Sequence, residues 1–80
     1  MKKVIRDSIE KSLKSRIKGG VYLDFDKNGN LVVTIAKTTP TFKTTYYNCL
    51  SNIVKGKTVT DVSKEIYKRY KEYVYTLFFK

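Results

Sequence analysis

At Gly19-Gly20 the spacing of apolar residues changes from four to two, which divides the chain into a helical beginning and a sheet. Before this point Ile5, Ile9, Leu13 and Ile17 recur every four residues, a spacing that keeps a narrow apolar stripe on one side of a helix. After it Val21, Leu23 and Phe25 alternate with Tyr22, Asp24 and Asp26, the pattern of a half-buried strand. Glycine takes the left-handed conformation that closes helices and is unfavourable inside them. The spacing therefore predicts a helix over residues 3–18 and a strand from Val21 onward. A second strand is expected over residues 31–37, because the intervening Lys27-Asn28-Gly29-Asn30 carries the Asn-Gly pair that suits a tight hairpin.

The next segment, residues 38–45, reads as a loop or a short edge strand: its threonines favour extended backbone, whereas Pro40 removes a donor from any ladder. Tyr46, Leu50, Ile53 and Val54 fit a short helix over residues 44–55, closed by Gly56. Thr58, with Asp61 three residues on, then opens a long helix, with Val59, Val62, Ile66, Tyr73 and Leu77 on one side. A second apolar line, Tyr67, Tyr70, Val74 and Phe78, runs beside it; residues 73–79 are also rich in strand formers and could instead finish as a strand. The expected fold is α+β: an N-terminal helix, an antiparallel hairpin with or without a third edge strand, and two C-terminal helices packed on one sheet face. Eighty residues make one such domain, with a thin margin of stability.

Seventeen Lys and Arg against seven Asp and Glu give a formal charge of +10, a field that draws polyanions. With 41% hydrophobic and 14% aromatic residues, that charge sits on a folded body and not on a disordered tail. The chain has no histidine and one cysteine, Cys49, which excludes an internal disulfide, a Cys/His zinc site and a histidine base. No paired carboxylate or activated nucleophile is evident, so an enzyme is not expected and neither is a cofactor. No stretch approaches the roughly 20 apolar residues needed to span a bilayer, and the beginning of the chain does not read as a signal peptide. A cytoplasmic protein without membrane contact is expected.

Three local patterns have simpler readings. Asp24 to Asn30 matches the opening of a calcium loop, yet the twelfth position, where a bidentate acid belongs, is Ile35; a plain hairpin with Asp24 and Asp26 on its polar face is expected. Gly56-Lys57-Thr58 lacks the upstream glycine and preceding strand of a phosphate loop. The last two helices outline a helix-turn-helix, but the start of the would-be reading helix offers Thr58, Thr60, Asp61 and Ser63, poor equipment for base edges.

Two function classes remain. In the first, the chain is a small nucleic-acid-associated module, of the kind phages and mobile elements encode, that contacts DNA or RNA phosphates with little sequence preference. Its contacts are expected from Lys2, Lys3, Arg6, Arg16, Lys18, Lys57, Lys64, Lys68 and Lys71; Lys64, Lys68 and Lys71 share a helical face with tyrosines between them. Asp7–Lys11 and Glu10–Lys14 have the spacing of intrahelical ion pairs, so those lysines are assigned to helix stability. In the second, it is a protein-interaction module, such as a phage-type inhibitor or regulatory subunit. That reading uses Tyr67, Tyr70, Val74, Tyr75, Phe78 and Phe79 against an acidic partner surface or a second copy of the chain.

Overall fold

In a computed structural model, which describes residues 2–78, the elements run α1 (Lys2–Arg16), β1 (Val21–Phe25), β2 (Leu31–Ile35), β3 (Phe42–Tyr46), α2 (Cys49–Val54) and α3 (Val59–Phe78). The strands form one antiparallel meander in the order β1-β2-β3. Register aligns Val21, Ile35 and Phe42 in one row, Leu23, Val33 and Thr44 in the next, and Phe25, Leu31 and Tyr46 in the third. Because side chains alternate across a sheet, these rows share one face. Ile9, Leu13 and Ile17 of the α1 stripe, with Val62 and Ile66 of α3, close over that face, α1 against β1 and α3, and α3 also against β3. The other face keeps Tyr22, Asp24 and Lys43 exposed. The α+β architecture is the one that the change of apolar period implies.

The segment between residues 38 and 45 resolves into a third strand that starts at Phe42 and pairs along the length of β2. Phe42 and Tyr46 are buried at either end, so a period of two outweighs the spacing that had suggested a helix from Thr44, and α2 begins only at Cys49. Asn48 turns the chain with φ 53, and its N–H is held by Asn30 Oδ1 at 2.8 Å across from the hairpin. Cys49 is fully buried, a small hydrophobe as its isolation suggests.

α3 stays helical through Phe78; Phe79 lies outside the described residues. Tyr70 and Tyr73 both meet the Phe42 ring, with centroids 5.6 and 5.2 Å apart. Residues three apart share a face on a helix but point to opposite faces on a strand, so this double contact requires helix whatever the local strand propensity. At its start, Thr58 N–H donates to Asp61 Oδ2 at 3.0 Å and Asp61 N–H to Thr58 Oγ1 at 3.1 Å, a reciprocal cap on two donors that the helix itself leaves unpaired.

The hairpin departs from expectation at Asp26, which does not sit on a polar strand face. Its Oδ1 accepts the N–H groups of Asn28 and Asn30 at 2.8 and 3.0 Å, and its Oδ2 accepts Asn30 Nδ2 at 3.1 Å, so it organises the turn. The amide of Asn30, with those of Asn28 and the Asn30 side chain, holds the Asp26 carboxyl below the usual carboxylate range, against partial desolvation. A carboxyl depressed in the folded state adds stability above its unfolded value, about pH 4, and loses it as pH falls through the folded one. Asp61 and Glu65 are depressed too, so they act in the same direction. Asp26→Asn, which keeps an acceptor but cannot titrate, is expected to narrow the difference in melting temperature between pH 7 and pH 3. An unchanged difference would refute that role.

Candidate functional site

Lys64, Lys68 and Lys71 stand at steps of four and three on α3, which puts them on one face. Tyr67 lies between them, half-buried, and the end of α1 packs alongside. Arg16 sits over the Tyr67 ring with its Cζ 5.9 Å from the centroid, and Lys71 Nζ lies 5.5 Å from the same centroid. Both are attracted by the negative ring face, which gathers cations from two helices at one point. A shallow hollow of about 690 Å³ follows this face, lined by Tyr67, Tyr75, Lys64, Lys68 and Lys71 among others.

The other cations expected to bind phosphate are distributed differently. Lys2 lies beside the hairpin turn with Lys27 and Asn28, and Lys3 is exposed in the same first turn of α1. Arg16 is at the other end of the fifteen-residue α1, about 20 Å away. Arg6 is turned toward carboxylates, 3.5 Å from Asp7 and 4.0 Å from Asp24. Asp7 thus meets Arg6, whereas Glu10 and Lys14 pair at 3.2 Å as their spacing implies. Lys18 is exposed just beyond α1. Lys57 Nζ is 2.6 Å from Glu65 Oε1. Of the nine expected cations, the structure gathers Arg16, Lys64, Lys68 and Lys71.

Lys57 belongs to a latch that positions α3. The buried Tyr46 hydroxyl, at the end of β3, donates to Glu65 Oε2, and Lys57 Nζ lies 3.4 Å from the same hydroxyl. Lys57, then Tyr46, hold the Glu65 carboxyl below its usual range, and Glu65 in turn raises Lys57. Burial, followed by the Glu65 hydrogen bond, raises Tyr46, which remains a proton donor at neutral pH. One turn further on, Arg69 donates to Thr45 O at 3.2 Å and stacks over the Tyr46 ring at 5.4 Å. α3 is thereby fixed against β3 with its lysines exposed.

A second hollow, of about 510 Å³, opens on this side of α3, between Tyr46, Tyr47, Lys57 and Arg69, with Lys68 and Glu72 lining both hollows. Tyr47 is 69% exposed there. Glu65 and Arg69 carry no sequence signal of this role, because their partners lie on β3 or in the α2–α3 turn and share no local spacing with them.

The α3 residues expected at a partner interface differ in exposure. Tyr70 packs on Phe42 and, like Tyr67 and Val74, is half-buried, whereas Tyr75 and Phe78 are exposed. At the start of α3, Thr58 and Asp61 are engaged in their mutual cap and Ser63 Oγ donates to Val59 O at 2.9 Å, so these groups are not presented to a base edge. Among the described residues no helix is long and apolar enough to cross a membrane. Comparison with protein-family models, with curated proteins and with solved structures finds no match for this chain.

Proposed function

We propose that this chain is a small nucleic-acid-associated binding module that contacts phosphates through the outer face of α3 and the end of α1, with little sequence preference. The observation that carries the reading is the gathering of Arg16, Lys64, Lys68 and Lys71 around Tyr67, on a chain of net charge +10. Cations on one helix face meet phosphates at defined positions, while Thr58, Asp61 and Ser63 at the start of α3 are taken up by bonds within the helix.

The test is a titration at near-physiological ionic strength with two duplexes of unrelated sequence. About four phosphate contacts imply that log affinity falls against log salt with a slope of about −3.6, and equally for both duplexes. Absence of a complex there with those duplexes and with single-stranded DNA or RNA would overturn the reading. It would leave in front a protein-interaction module such as a phage-type inhibitor or regulatory subunit, which the exposed Tyr75 and Phe78 favour.

A further inference from the structure

The tyrosines around the lysine face of α3 are already engaged. Tyr67, among the three lysines, packs against the core and carries Arg16 and Lys71 over its ring at 5.9 and 5.5 Å. Tyr70 and Tyr73 meet Phe42, and Tyr75 has an interaction of its own. Lys64, Lys68 and Lys71, by contrast, are exposed and in no ion pair among the described residues. The hollow on the β3 side offers a nucleic-acid strand little more: Glu65 and Glu72 line it, Lys57 is paired with Glu65, and Arg69 donates to Thr45 O. Tyr47 is exposed there, but in a hollow whose carboxylates repel phosphate.

We infer that the occupant of the lysine face is double-stranded nucleic acid held by its phosphates, and that Tyr67 is a brace for Arg16 and Lys71 and not a platform for a base. The inference rests on the phosphate-binding reading and makes it specific to paired strands. Proteins that prefer an unpaired strand add open aromatic rings to their cations, and its bases stack on those rings. On this face the rings are spoken for and only the charges are available. Charge alone favours a duplex, which carries about one phosphate per 1.7 Å of axis, twice the density of one strand. Lys64 to Lys71 covers about 10 Å of α3, and Arg16 comes from the neighbouring helix, so the patch has breadth as well as length. A duplex meets it with phosphates of both strands, a single strand with one row. Tyr67 contributes by attracting Arg16 and Lys71 to its ring, which limits where those two charges sit.

The experiment compares a labelled duplex with an oligothymidine of the same length, over a range of salt, for the unaltered chain and for Tyr67→Leu and Tyr67→Phe. About four phosphate contacts imply salt slopes of about −3.6 for the duplex and about −2.8 for the single strand, which at about 0.15 M salt favours the duplex by about fivefold. Tyr67→Leu changes no charge and keeps an apolar side chain against the core; it is expected to lower affinity by about two- to fivefold for both probes alike, with Tyr67→Phe binding as the unaltered chain does. Retention of the helix signal in circular dichroism separates that loss from unfolding. Equal or tighter binding of oligothymidine by the unaltered chain overturns the inference and leaves phosphate contact standing. So does a Tyr67→Leu loss that is confined to oligothymidine or absent from both probes. Failure to bind either probe overturns both.

Discussion

Replacing Lys64, Lys68 and Lys71 together by Glu is expected to lower nucleic-acid affinity by about a thousandfold at near-physiological salt. A unit charge pair about 4 Å apart in water is worth about 1 kcal/mol. Reversal exchanges attraction for repulsion, so three reversals amount to about 6 kcal/mol before screening and about 4 kcal/mol after it, which is about three decades of affinity. The loss should be uniform across unrelated sequences, since phosphate contacts position a protein without reading bases. The three side chains are exposed, so the helix content measured by circular dichroism should be retained. Reversal of Lys2 and Lys3, about 20 Å away along α1, is the comparison: it removes two-thirds as many positive charges but leaves the α3 face intact. If both sets of reversals reduce affinity in proportion to charge alone, a localised interface is excluded. If the triple variant retains full affinity, the α3 face is not the interface.

The elements that local rules specify are those the sequence shows most directly. The α1 stripe, the β1–β2 hairpin and the capped start of α3 each depend on residues two to four apart, and each forms where that spacing puts it. β3 is different. Its Phe42 and Tyr46 are buried because β2 lies beside them and α3 above them, so the choice between loop, strand and helix is made by neighbours remote in the chain. The start of α2 moved with that choice. Asp26 shows a finer version of the same effect: it follows the strand alternation in sequence, yet it lies one residue beyond β1, where the amides of the turn compete for its carboxylate.

The candidate site was legible to the extent that it is helical. Lys64, Lys68 and Lys71 share a face by spacing alone, but the arrival of Arg16 over Tyr67 depends on how α1 packs against α3. Counting cations also overstates the available charge, because Arg6 meets its neighbour Asp7 and, from the sheet, Asp24, while Lys57 meets Glu65. The tyrosines posed the same difficulty. Tyr67, Tyr70, Tyr73 and Tyr75 look alike in sequence, yet Tyr70 and Tyr73 pack on Phe42 of β3, Tyr67 packs against the core while lining the lysine-side hollow, and Tyr75 is exposed.

Ile66→Ala is expected to cost about 2–5 kcal/mol, the range for truncating a fully buried aliphatic side chain. Ile66 is 0% exposed, in the middle of α3, in the core cluster with Val62, Leu13 and the inner rows of the sheet. A domain of this length holds about 4–12 kcal/mol in total, so this one change takes a large part of its stability and lowers the melting temperature by about 10–30 °C. Val54→Ala, at a site 86% exposed, should change stability by no more than about 0.5 kcal/mol. The pair also separates stability from binding. Ile66 is buried beneath the lysine face and contributes no cation to it, so at a temperature where the variant is still folded its affinity and salt slope should match those of the unaltered chain. On warming, binding should then disappear together with the helix signal, because Arg16 and Tyr67 belong to different helices, which pack on each other through the core that Ile66 helps to fill. A melting temperature within a few degrees of the unaltered chain would mean that α1 and α3 do not meet through this residue, and the assembly of the cationic face from two helices would fall with it.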